Sequence, residues 1–98
     1  MAYLAVCTFD LKNGSFDDYR NAYSALERIG LKKAVVATNK STVVAPTTMT
    51  LGEFNGQDTG TVRDWVRNQV KAAFERLGLK GEIFVVVGGD WSWGATTT

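Results

Sequence analysis

A chain of 98 residues, 45% apolar and 21% charged, is one small folded domain rather than a disordered segment. Its net charge of +1 excludes a nucleic-acid binder that relies on whole-domain charge, so any such contact needs a local basic patch. With no histidine and a single cysteine, Cys7, the chain excludes Ser-His-Asp and Cys-His triads, a paired-cysteine zinc site and an internal disulfide framework. Any catalysis would have to use carboxylates, Lys, Arg, Tyr, Ser or Thr, with an oxygen-liganded ion such as magnesium as the fitting metal.

The N-terminal run "AYLAVCTF", residues 2–9, is apolar on both parities and is followed by the turn signal "KNG". That pattern predicts a central strand covered on both faces, with Cys7 as a buried, inert thiol. No basic segment precedes the run, and Asp10 interrupts it. The expectation is neither a signal peptide nor a membrane span, hence a cytoplasmic protein.

"SFDDYRNAYSALERIG" predicts the first helix. Ser15 and Asp18 have capping-box spacing, Phe16, Tyr19, Tyr23, Leu26 and Ile29 share one face, and Gly30 stands where a helix stops. "KKAVVAT" predicts a second strand. Residues 39–46 are open between a hairpin extension and a structured loop, and "TTMTLGEF" predicts a third strand. "TVRDWVRNQVKAAFERLG" predicts the second helix, with Thr61 and Asp64 at capping-box spacing and Val62, Trp65, Val66, Val70, Ala73, Phe74 and Leu77 on its apolar face. "EIFVVVGG" is the last strand, and "DWSWGATTT" the tail. One domain over residues 1–94 is expected, with 95–98 a disordered end.

The order strand, helix, strand, strand, helix, strand, with one apolar stripe per helix, implies an α+β fold. This is the ferredoxin-like βαββαβ sandwich, an antiparallel sheet in the order 4-1-3-2 with both helices on one face. That topology brings Asp10 and Lys12 toward Lys40, Ser41, Thr42, Thr47 and Thr48, and sends Asp90 away from them. It also leaves one apolar sheet face without helices, which predicts a homo-oligomer, a dimer first, packed through sheet faces or edges. Trp91 and Trp93 are the candidate interface residues. The other reading has them close over the subunit's own core.

"LAVCTFDL" and "YRNAYSALERIG" resemble the small CRISPR adaptation subunit and its ferredoxin-like relatives, the VapD-type and GhoS-type ribonucleases. The likeness covers residues 3–30 in detail. Phe9-Asp10-Leu11 matches the aromatic-Asp-aliphatic triplet that ends that family's first strand, and Arg20 with Leu26 to Gly30 matches its first helix. The family's Gln-x-Ser-aliphatic-aromatic-Glu strand and its basic character are absent. The resemblance implies a cytoplasmic dimer acting on RNA or DNA. Asp10 would be the catalytic and magnesium-binding carboxylate, one from each subunit, and Lys12, Arg20, Lys32, Lys33 and Lys40 the phosphate contacts. From the residues alone Asp10 is equally a turn-solvating acid before "KNG", and Lys32 and Lys33 are cations at a helix C-terminus. The competing function is a non-catalytic oligomeric module that binds a protein or a small anion.

Overall fold

The computed structural model describes residues 2–36, 42–44 and 48–98. The elements run β1 (Ala2–Leu11), α1 (Phe16–Ile29), β2 (Ala34–Val36), β3 (Thr42–Val44), β4 (Met49–Asn55), α2 (Thr59–Arg76) and β5 (Gly81–Gly88). β1 is the central strand of an antiparallel sheet ordered β4-β1-β5. This is the small ferredoxin-like α+β arrangement that the alternation of strand and helix signals predicts. The expected second strand, at the sheet's other edge, is reduced: among the described residues only Lys32 and Leu51 bridge, through paired backbone bonds of 2.8 and 2.9 Å. The chain then turns away, and β2 pairs with β3 as a separate hairpin. A hairpin between near neighbours in sequence closes a short loop and costs little entropy. Of the two readings open for residues 39–46, its β3 part is therefore the hairpin one. Lys40, Ser41 and Thr47 lie outside the described residues.

Alternation along β1 sorts its side chains onto two faces. Tyr3, Ala5, Cys7, Phe9 and Leu11 are buried against Ala22 and Leu26 of α1 and Val62, Val66, Val70 and Phe74 of α2. Leu4, Val6 and Thr8 are half-buried on the opposite face, so the expectation of two covered faces fails there. Thr50, the one buried polar residue among the described residues, donates its hydroxyl to the Cys7 carbonyl at 3.2 Å.

Both helices start on side-chain caps. The Ser15–Asp18 capping box forms as its spacing predicts, and Gly30 ends α1 in the left-handed region at φ 113°. The expected Thr61–Asp64 box does not form. α2 begins earlier, because the Asp58 carboxylate accepts from the Thr61 N–H at 2.7 Å, and Asp is among the strongest N-cap residues. That bond holds the Asp58 carboxyl below its ordinary range. Asp64 instead meets Arg63 and Arg67. The predicted apolar stripes hold except at their margins, where Phe16, Trp65 and Leu77 stay exposed.

Cys7 has no exposed surface, and burial pushes its thiol from 9.0 up to about 11. The unfolded thiol ionises first, so Cys7 costs the fold nothing below pH 9. Between the two values its contribution then falls, by up to about 1.4 kcal/mol per pH unit. The expected outcome is no labelling by a thiol-disulfide reagent in the native protein and full labelling in denaturant. Labelling of the native protein at the rate of a free thiol would show that this part of the core opens.

Candidate functional site

The end of β1 is fixed from two sides. On the helix side, Tyr19 in the first turns of α1 stacks on Phe9 with ring centroids 6.0 Å apart, and its hydroxyl accepts from the Leu11 N–H at 3.2 Å. The same hydroxyl lies 3.4 Å from Asp10 Oδ1 as a donor. On the sheet side, β5 runs antiparallel with Asp10 opposite Glu82 and Leu11 opposite Gly81. One rung further the Lys12 N–H donates to the Lys80 carbonyl at 2.7 Å. Gly81 is required by this approach, because a Cβ there would run into the Asp10 carbonyl oxygen.

The result is a charge quartet. Asp10 and Glu82 are exposed acids directly across from one another, and Lys12 and Lys80 are bases two residues further along, beyond the Leu11–Gly81 rung. Like charges directly opposite on a ladder are destabilising, whereas diagonal neighbours, about 7–8 Å apart, are here of opposite sign. None of the four makes a direct ion pair among the described residues. Lys12 and Lys80 also border a cleft of about 350 Å³ with Asn13, Gly14 and Asp18. Asn13 adopts φ 57°, and Gly14 has no room for a side chain against Leu11 and Tyr19. The "KNG" turn therefore has a fixed shape that presents Lys12.

The other expected phosphate contacts do not gather here. Arg20 is exposed on α1 and paired with Asp17 at 3.5 Å. Lys33 places its Nζ 4.5 Å from the centre of the Tyr23 ring, whose hydroxyl accepts from the Thr48 N–H at 2.7 Å. Lys32 lies with Trp91, Trp93, Leu4 and Leu51 along a cleft of about 520 Å³. The tail thus folds onto its own sheet, over one end of the face the helices leave open. Lys40 is outside the described residues. Thr48 does lie beside the end of β1, its carbonyl accepting from the Phe9 N–H at 3.3 Å. β5 ends with Gly88 beside Leu4, so Asp90 is at the far end of the sheet from Asp10, as the topology requires.

Glu82 and Lys80 were not among the expected site residues, although the signal was present. "DLK" at 10–12 read against "KGE" at 80–82 in antiparallel gives acid facing acid and base facing base. No group of three or more potential metal ligands exists among the described residues. No helix among them is long and apolar enough to cross a membrane. No protein-family model matches the chain, and no curated protein matches it.

Proposed function

We propose that this protein is an oligomeric nucleic-acid-binding protein that cleaves phosphodiesters with the help of a divalent cation, its carboxylate site made by Asp10 and Glu82 of one chain. The observation that supports this reading is the exposed acid pair, kept opposite one another at a cost in stability and flanked by Lys12 and Lys80. The donor set fits magnesium and not zinc. Magnesium is commonly held by one or two carboxylates, its own waters and substrate phosphate, whereas zinc prefers histidine nitrogen and paired cysteine sulfur, and this chain has no histidine and a single, buried cysteine. When bound, such an ion supplies charge stabilisation at the phosphoryl oxygens and an activated water. The chain's own part is positional. Tyr19 orients the Asp10 carboxylate, the Lys12–Lys80 rung keeps Glu82 in register, and the two ammonium groups contact phosphate oxygens. A cytoplasmic setting, where thiols remain reduced, suits the single Cys7.

The test is magnesium-dependent cleavage of labelled single-stranded RNA and DNA. Asp10→Asn and Glu82→Gln are each expected to lower the rate on the order of 10²-fold or more, with melting temperature unchanged or raised. Binding should depend only modestly on salt, since two lysines at the site imply about two released counterions. Equal cleavage by the wild type and both variants would sink the reading. A second reading, a non-catalytic oligomeric module, is favoured by the exposure of Phe84 and Val86 on the open sheet face. It is the one left standing if the wild type neither cleaves nor binds nucleic acid.

A further inference from the structure

The outer edge of the sheet carries a second message. β5 is an edge strand: among the described residues it pairs only with β1. Its sequence, "GEIFVVVG", has one charge, Glu82, and no proline or lysine to block another strand. Proteins that keep their edges single usually place such residues there.

The ladder fixes which backbone groups are free. Lys12 and Lys80 bond to each other in register with the β1–β5 rungs, and successive residues of a strand turn their polar groups to opposite sides. Glu82, Phe84 and Val86 therefore aim their N–H and C=O groups at β1. Ile83, Val85 and Val87 aim theirs outward. Their side chains are held against the core, so the backbone presents these groups to an incoming strand in a fixed row.

We infer that two copies of this chain join edge to edge through β5, antiparallel about a two-fold axis at Val85. This rests on the oligomeric part of the function proposed above and gives it a surface and a register. Three symmetric registers can be compared. With the axis at Val86, Glu82 faces Asp90 of the other copy, two like charges. With the axis at Phe84, Glu82 faces an apolar Val86. With the axis at Val85, Glu82 faces Gly88, Ile83 faces Val87, and Phe84 faces Val86 twice. Phe84 is 66% exposed and Val86 51% exposed in the single chain, and aromatic–β-branched pairs of this kind stabilise antiparallel ladders. The outward N–H and C=O groups of Ile83, Val85 and Val87 are then all paired. The dimer has one continuous sheet of twice three strands. Each copy keeps its own Asp10–Glu82 pair, well separated from the other, which is why the partner of Asp10 is Glu82 and not a second Asp10.

The experiment combines mass in solution with amide exchange. Sedimentation of the full chain at about 50 μM is expected to give a dimer. Amide exchange followed by NMR is expected to show protected Ile83, Val85 and Val87 N–H groups that lose protection on dilution, while Phe84 and Val86 keep theirs. Val85→Pro removes the outward N–H at the axis, a change edge strands tolerate, and also alters a side chain packed on the core. It is expected to yield a monomer with unchanged helix content. Phe84→Lys alters an exposed side chain and is expected to weaken dimerisation at least tenfold. A monomeric wild type would overturn both this inference and the oligomeric reading. A dimer whose Val85 amide exchanges freely, or whose affinity Phe84→Lys leaves unchanged, would overturn this inference alone.

Discussion

Phe74→Ala is expected to lower stability by about 3–5 kcal/mol. Phe74 is 3% exposed and meets the Phe9 ring edge-on, with centroids 5.3 Å apart. It joins α2 to the central strand at the point where α2 ends, and its carbonyl accepts from the Leu79 N–H at 2.9 Å as the chain turns toward β5. Phe9 in turn touches Tyr19 and Tyr23, so the cavity would open under the three-ring contact that holds α1. For a domain of this size each kcal/mol is worth roughly 4–8 °C in Tm, so a fall of about 12 °C or more is expected. Urea denaturation followed by circular dichroism measures it. A loss under about 1 kcal/mol would show that the aromatic cluster is not central to the core.

Gly52→Ala is the second large effect. A Cβ at Gly52 would overlap the Gly30 carbonyl oxygen, which is backbone and cannot swing aside. Gly30 is itself committed to the left-handed cap of α1, and the next residues form the Lys32–Leu51 bridge. The helix end and β4 must therefore move apart. A cost of about 1–3 kcal/mol is typical of overpacking, and the upper end is expected here because backbone meets backbone. Thermal melts of Gly52→Ala and of Gly88→Ala make the comparison, since nothing lies near a Cβ at Gly88. Equal melting temperatures would contradict the close approach of α1 to β4.

These two positions show what was readable in the chain and what was not. Phe74 is visible as a core residue because helical spacing is a local pattern, as are the Ser15–Asp18 cap and the Gly30 stop. Gly52 reads as an ordinary weak point in a strand. Its necessity arises from a helix end more than twenty residues earlier in the chain. The same distinction governs the candidate site. Asp10 stands out because an acid ends an apolar run, but Glu82 gains its meaning only from the register that sets β5 beside β1. Registers between distant strands are fixed by the whole core, so no local window displays them. The start of α2 at Thr59, ahead of the Thr61 spacing, has another cause. Two good capping sites, Asp58 and Thr61, lie three residues apart, and the carboxylate took the helix end. The reduced second strand reflects competition between two partners for one segment, which composition alone does not decide.

The three tryptophans fall on opposite sides of the sheet. Trp65 tilts against Phe54 on the helix side at 5.8 Å, while Trp91 and Trp93 lie over Leu4 and Leu51 on the other. The molecule thus contains its own optical probes, one for each layer. In a Trp65→Phe background the emission comes from the tail alone, so a colour shift on adding nucleic acid, salt or denaturant reports when the tail lifts from the sheet. Phe replacements at 91 and 93 isolate the helix layer in the same way. Light alone can then tell whether the two sides of this small domain come apart together or in turn.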